Sequence, residues 1–288
     1  MVKLKKEVKA YAKINLFLDI LGKLENGYHS LFMVMQSIGL CDIVTVEDAL
    51  KGIKITASDP AIPLDRKNTA YKAAEYFFED TGIKGGAKIH IEKNIPHEAG
   101  LAGGSADAAA VLCALNEIYS AGLSAPELCR TGLRVGSDVP FCVVGGTCLA
   151  QNTGGILSPL VPLRNCFVVL AKPQKGVSTK WAYEEADSVY LYHPDKIRML
   201  DCCEKGDLDG ICRYAGNVFE QVVEVPERVE IKRIMREYGC KLCQMSGSGP
   251  TVFGLFENEG DARAAIEKIS LICPEVYLTG VSDRGIAF

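Results

Sequence analysis

The sequence contains no apolar run approaching the ~20 residues that a membrane-spanning helix requires, so no membrane span is expected. Its first stretch, MVKLKKEVKAYAKINLFLDILGK, offers no apolar core for a secretory signal, because Lys9 and Lys13 interrupt it. Positive charge is not in excess: 32 Lys and Arg stand against 36 Asp and Glu, a formal net charge of −4. A general nucleic-acid binder needs a broad basic face, so nucleic acid is not an expected partner. Any anionic ligand must therefore meet a positive potential that is local. Histidine is scarce, with only His29, His90, His97 and His193, none of them near the single CxxC at Cys240–Cys243. Zinc would want a second such pair or neighbouring histidines, so no zinc site is expected. There is no internal repeat and no low-complexity tract.

Cysteine, by contrast, is abundant: twelve are spread from Cys41 to Cys273. Without a secretory signal they read as reduced thiols of a cytoplasmic protein, packed as small apolar side chains. At ~100–200 residues per domain, 288 residues suggest two domains. With 48% hydrophobic and 24% charged residues, such a chain can bury a core without disulfides.

Between Val8 and Ile20 the pattern alternates, with Ala12, Ile14, Leu16 and Leu18 on one strand face and Tyr11, Lys13, Asn15 and Phe17 on the other. On pattern alone, Lys13 and Asn15 belong to a solvated face. Asn26-Gly27 signals a hairpin into the apolar run 31–40, and strands follow at 42–47 and 52–57. A helix over 68–81 starts with Asn68 as N-cap and stops at Gly82. Then come a strand over 88–92, an Ala-rich helix over 106–119, and a helix opening at Ser124-Ala-Pro126-Glu127. Polar and Gly residues at 151–155, followed by Pro159 and Pro162, place a domain boundary near 155–165 and divide the chain into 1–160 and 161–288. The second part reads as a strand over 166–171, a helical region over 178–239, and strands over 241–245 and 251–256. A helix over 261–272 and a strand over 276–281 follow. This mixed order makes both domains α+β.

The most informative segment is IPHEAGLAGGSADAA, residues 95–109. Its glycines precede a helix start, where unpaired N–H groups and the positive end of the helix dipole favour an anion. It is either a phosphate cradle or a loop that caps a packed helix. It is not a Walker A loop, since no Lys follows the glycines, nor a dinucleotide fingerprint, since position 102 is Ala. It is not a nucleophile elbow either, since Asp107 takes the final Gly position, and no HRD or DFG triplet marks a protein kinase. Two further segments stand out: GSDVPF at 136–141, where Asp138 by itself suits a turn, and MSGSGPT at 245–251, a Gly-rich connection between strands.

Taken in order, AKINLFLDILGK with NGYHSL, then IPHEAGLAGGSADAA, GSDVPF and MSGSGPT, the chain resembles the GHMP kinase superfamily from residue 10 to about 256. The first and third of these point to the members acting on a cytidine-diphosphate-linked methylerythritol. That resemblance implies a two-domain GHMP kinase fold, with an N-terminal domain like the second domain of ribosomal protein S5 and a ferredoxin-like C-terminal domain. It implies transfer of the ATP γ-phosphoryl group to the substrate 2-hydroxyl, a step of the non-mevalonate isoprenoid pathway, with ATP as co-substrate and Mg²⁺ as cofactor. It assigns Lys13 and Asp138 as the catalytic pair. The ATP loop would be Pro96, His97, Glu98, Ala99, Gly100, Leu101, Ala102, Gly103, Gly104, Ser105 and Ala106, with Ser105 the Mg²⁺ or phosphate contact and Asn68 and Lys93 at the adenosine. Asn15, Tyr28, His29 and Thr179 would bind the acceptor, with Trp181 or Tyr183 as a second stacking face. Ala102 stands where many relatives have Gly, and its Cβ leads us to expect a negative φ there. The last strand is left to join either domain, and oligomeric state is not legible. A homoserine or mevalonate kinase is the nearest alternative, against which NGYHSL argues. A silent nucleotide sensor is another, against which the presence of both Lys13 and Asp138 argues.

Overall fold

Residues 4–288 are described by the structure, a computed structural model. The Asn26-Gly27 turn joins two long antiparallel strands, β1 (Lys5–Lys23) and β2 (His29–Ala49), paired from Lys5–Glu47 to Lys23–His29. The two short runs expected at 31–40 and 42–47 form one strand, because β1 pairs with nearly the whole of β2. The chain continues through β3 (Gly52–Ala57), α1 (Thr69–Thr81), β4 (Gly86–Glu92), α2 (Gly103–Ile118), α3 (Ala125–Val135) and α4 (Val139–Val144). The hairpin β5 (Thr147–Asn152) and β6 (Ile156–Pro159) then takes up the polar 151–155 stretch and the start of the expected 155–165 boundary. Beyond it run β7 (Phe167–Lys172), α5 (Thr179–Ser188), α6 (Lys196–Lys205), α7 (Leu208–Tyr214), β8 (Gly216–Asn217) and α8 (Arg228–Glu237). The last elements are β9 (Leu242–Met245), β10 (Val252–Phe256), α9 (Glu259–Ile269), β11 (Glu275–Gly280) and β12 (Ile286–Ala287).

Local chemistry explains several boundaries. The Asn68 side chain accepts from the Ala70 amide, and Gly82 ends α1 at φ 67°. At α3 the Glu127 carboxylate accepts from both the amide and the hydroxyl of Ser124. The strands form two sheets. The larger runs β12-β1-β2-β4-β3, with β5 on β2, β6 on β5 and β8 on β1; the smaller runs β11-β7-β10-β9. In the small sheet, Val169, Ala171, Val252 and Phe256 face α8 and α9, while Val168, Leu170, Phe253 and Leu255 face the larger core. The switch between sheets falls between Pro159 and Phe167, and two short strands then return to β1. β12 has no counterpart in the sequence reading, because two residues carry no periodicity.

The strand pattern failed on one point that matters for function. Lys13 and Asn15 are not on a solvated face: they are 4% and 0% exposed. Three register shifts, between Tyr11 and Lys13, Asn15 and Phe17, and Ile20 and Gly22, re-aim side chains along β1. Both faces of the strand are covered, so burial runs unbroken from Ala12 to Ile20.

Candidate active site

A cavity of about 850 Å³ opens where β1, the loop before α2, α5 and the turn after β9 converge. At its wall the buried Lys13 ammonium donates to Asn15 Oδ1 at 2.7 Å and lies 3.7 Å from Asp138 Oδ2. Asp138 immediately precedes α4, and its side chain keeps about a third of its surface exposed. A carboxylate beside a buried cation, open to the cavity, is equipped to accept a proton from a bound hydroxyl.

The Gly-rich loop is anchored at three points. The Leu101 carbonyl accepts from the Lys13 amide at 3.1 Å, the Gly100 carbonyl accepts from Ser246 Oγ at 2.9 Å, and the Ala102 carbonyl accepts from the amides of Ser105 and Ala106. α2 starts at Gly103, three residues earlier than expected, and no side chain caps it. Its first residues line the cavity, so their uncapped amides and the helix dipole behind them present a local positive potential there. Ala102 is a correction: its φ is +59°, not negative. The loop's anchors impose the left-handed turn that releases the α2 amides toward the cavity. Such a conformation costs an L-residue about 1–2 kcal/mol. Ala102→Gly is accordingly expected to stabilise the fold by up to ~1 kcal/mol in urea unfolding, the glycine entropy offsetting part of the gain; a variant less stable than the parent would show that the strain is absent.

Other expected residues divide. Pro96, His97, Glu98, Ala99 and Leu101 line the cavity, and so do Gly103, Gly104 and Ser105, but Ala106 turns into the core at 0% exposure. Asn68 lines it too, although its amide is engaged in capping α1 and in donating to the Pro63 carbonyl at 2.8 Å. Lys93 is no free source of positive potential: it donates to Asp42 and, at 2.9 Å, to Asp107. Burial pushes the Asp107 carboxyl up to about 8, against the pull of Lys93, and its Oδ1 has no hydrogen-bond partner.

On the far stretch of the lining lie Tyr28, His29 and Thr179, all expected. Tyr183 lines the cavity and Trp181 does not, which separates the two aromatics of α5. Thr179 Oγ1 is 2.9 Å from Ser248 Oγ, so the Gly-rich turn after β9 belongs to the cavity as well. Lys23 and Asp187 also line it and were missed by the sequence reading. All twelve cysteines are unbridged and none lines the cavity. Burial raises most of their thiols, Cys113 and Cys203 to about 12, whereas a hydrogen bond from Cys240 brings Cys243 down to about 7. Among the described residues no group of three or more His, Cys, Asp or Glu side chains could hold a metal, and no helix is long and apolar enough to cross a membrane.

The sequence pattern of the GHMP kinases N terminal domain matches residues 68–146, and that of the GHMP kinases C terminal matches residues 199–274. A 4-diphosphocytidyl-2-C-methyl-D-erythritol kinase of Clostridium tetani is 44% identical over 95% of this chain and 99% of its own length. One of Geobacillus thermodenitrificans is likewise 44% identical, over 94% of each chain. A crystal structure of a 4-(cytidine 5'-diphospho)-2C-methyl-D-erythritol kinase superposes with a TM-score of 0.79 at 31% identity, covering 97% of this chain and 99% of its own. A homoserine kinase from Cytophaga hutchinsonii reaches the same TM-score at 20% identity and shows the shared fold alone.

Proposed function

Because the chain belongs to the GHMP kinases and has their two-domain fold, we propose that it transfers the γ-phosphoryl group of ATP to the 2-hydroxyl of 4-diphosphocytidyl-2-C-methyl-D-erythritol. The reaction is a step in non-mevalonate isoprenoid precursor synthesis. One observation carries this reading: a single cavity holds the uncapped N-terminus of α2, the Lys13–Asp138 pair and an aromatic wall of Tyr28, His29 and Tyr183.

The ATP phosphates lie against the amides of Gly103 and Gly104, where preorganised donors and the helix dipole meet the charge that spreads over the transferred group. Asp138 Oδ2 takes the proton of the 2-hydroxyl as its oxygen attacks the γ-phosphorus, and the bond to the β-phosphate oxygen breaks to release ADP. Lys13, 3.7 Å from Asp138 Oδ2, orients the hydroxyl, and Asn15, which lines the same cavity, accepts from the ammonium at 2.7 Å. No covalent enzyme intermediate is needed. Mg²⁺ supplies charge neutralisation between the phosphates. The residues present would suit a cation held mainly by phosphate oxygens and water, and the Ser105 hydroxyl, which lines the cavity, would be its protein ligand.

At the acceptor end, Tyr28 offers a stacking face, of the kind worth ~1–3 kcal/mol per base. Tyr183 backs the wall and Trp181 is left out of it. We place ATP on the 1–160 side and the acceptor across to 161–288, a cytoplasmic reaction in keeping with twelve unbridged cysteines. A homoserine or mevalonate acceptor would leave the aromatic wall without a purpose. The test is ADP release with ATP and Mg²⁺ on the cytidine substrate beside homoserine and mevalonate. Turnover is expected on the first alone; preference for either of the others overturns the reading.

A further inference from the structure

The last residue of β1 and the first of β2 meet α5 at one carboxylate. Asp187 accepts from His29 Nε2 at 2.7 Å on one oxygen and from Lys23 Nζ at 2.6 Å on the other. Four residues earlier on the same helix, Tyr183 stacks on the His29 ring with centroids 4.6 Å apart and planes 15° from parallel. Positions i and i+4 share one helix face, so α5 grips the imidazole by its face and by one edge at once. Tyr183 is itself held edge-on against Phe219, centroids 5.0 Å apart. The 4.6 Å stack leaves no slot for a base between the two rings, so a ligand in the cavity meets His29 by its free edge. With Nε2 engaged, Nδ1 is the ring nitrogen without a protein partner among the described residues.

We propose that Asp187 is a positioning residue that sets the base preference of this cavity. Because a carboxylate can only accept, the Nε2 that faces it is the donor, which leaves Nδ1 as the ring nitrogen able to carry a lone pair toward the ligand. That acceptor matches the exocyclic amino group of cytosine and opposes the O4 oxygen of uracil. Lys23 is the second half of the device. Its ammonium, with the His29 contact, holds the Asp187 carboxyl below the usual carboxylate range, so the group facing His29 accepts and cannot donate. The inference rests on the reading of a cytidine-bearing acceptor. Only the aspartate, 158 residues from His29 in the chain, turns a histidine that can present either tautomer into one that presents a single face.

The Asp187→Asn variant separates this role from a merely structural one. The Lys23 ammonium demands the amide oxygen, which turns the amide N–H₂ toward His29. Nε2 becomes the acceptor and Nδ1 carries the proton. Calorimetric Kd values for CDP and UDP on the full chain should show a wild-type preference for CDP. In Asp187→Asn that preference should fall at least about tenfold, moving toward UDP, with KM for ATP unchanged, and Asp187→Glu should recover much of it. Nitrogen-15 spectra of the His29 ring should report the Nε2–H tautomer in the wild type and Nδ1–H in Asp187→Asn. An unchanged CDP-to-UDP ratio in Asp187→Asn, a wild type without CDP preference, or an Nδ1–H ring in the wild type overturns the assignment. If the wild type phosphorylates the cytidine substrate while the ratio is unchanged, only the Asp187 role falls. If Asp187→Asn abolishes a CDP preference in a protein that does not turn over that substrate, only the functional reading falls.

Discussion

Replacing Asp138 with Asn should lower kcat by ~10²–10⁴-fold while leaving the Kd for ATP within about twofold. Asn matches Asp in shape, so α4 and the neighbouring loop keep their places, but the amide cannot take up the hydroxyl proton. The change also removes the negative partner 3.7 Å from Lys13, leaving that buried ammonium with the Asn15 oxygen alone. Some loss of stability is therefore expected, measurable by urea unfolding, and it is separate from the loss of rate. Steady-state kinetics on the cytidine substrate, with calorimetric ATP binding on the same preparation, distinguishes the two. A variant with near-parental kcat would remove Asp138 from the mechanism, and one that no longer bound ATP would show that the carboxylate supports the nucleotide site instead.

Gly100→Ala should be almost as damaging by a different route. Gly100 sits at φ +72°, and a Cβ there would lie 2.2 Å from the Ser246 carbonyl oxygen and 3.1 Å from that of Gly249. Both obstacles are backbone in the other Gly-rich turn, so no rotamer change relieves the overlap. The two turns must separate, breaking the Ser246-to-Gly100 hydrogen bond and moving the segment that presents the α2 amides. KM for ATP should rise more than about tenfold, since misplaced donors lose most of their electrostatic effect. Gly82→Ala is the control. That glycine also has positive φ, +67°, but its Cβ would meet nothing within 4 Å. It should cost only about 1 kcal/mol of stability and leave ATP kinetics untouched. Equal kinetic effects in the two variants would show that backbone strain, not the contact between turns, limits the site.

The contrast explains which parts of the site were legible. The loop from Pro96 to Ser105 announced itself because glycine spacing before an apolar helix is local, and so is the chemistry it produces. Asp138 and Lys13 could be assigned through resemblance, but their 3.7 Å approach could not be seen across a separation of 125 positions in the chain. Burial of Lys13 and Asn15 was misread because strand alternation assumes one solvated face, and here both faces of β1 are covered. Ala102 was misread because intrinsic preference yields to a loop anchored on both sides. Lys93, expected at the adenosine, is tied up by Asp42 and Asp107, which the fold brings to it from distant positions in the chain. Trp181 and Tyr183 lie two positions apart on α5, so one faces the cavity when the other does not; the helix's rotation decides which, and that depends on what packs behind it.

What the sequence by itself determined is therefore local or compositional: the turns and helix caps, the Gly-rich loop before α2, the family, and the mildly acidic net charge. Those features arise from short-range sterics, hydrogen bonding and summed charge. Only the tertiary structure decided which groups come together: Lys13 with Asp138, Ser246 with Gly100, and Asp187 with Lys23 and His29. It alone also decided which cation is already neutralised. Each of these depends on strands and helices far apart in the chain being brought within a few ångströms. Packing of the two sheets against their helices sets that distance, and no residue encodes it alone.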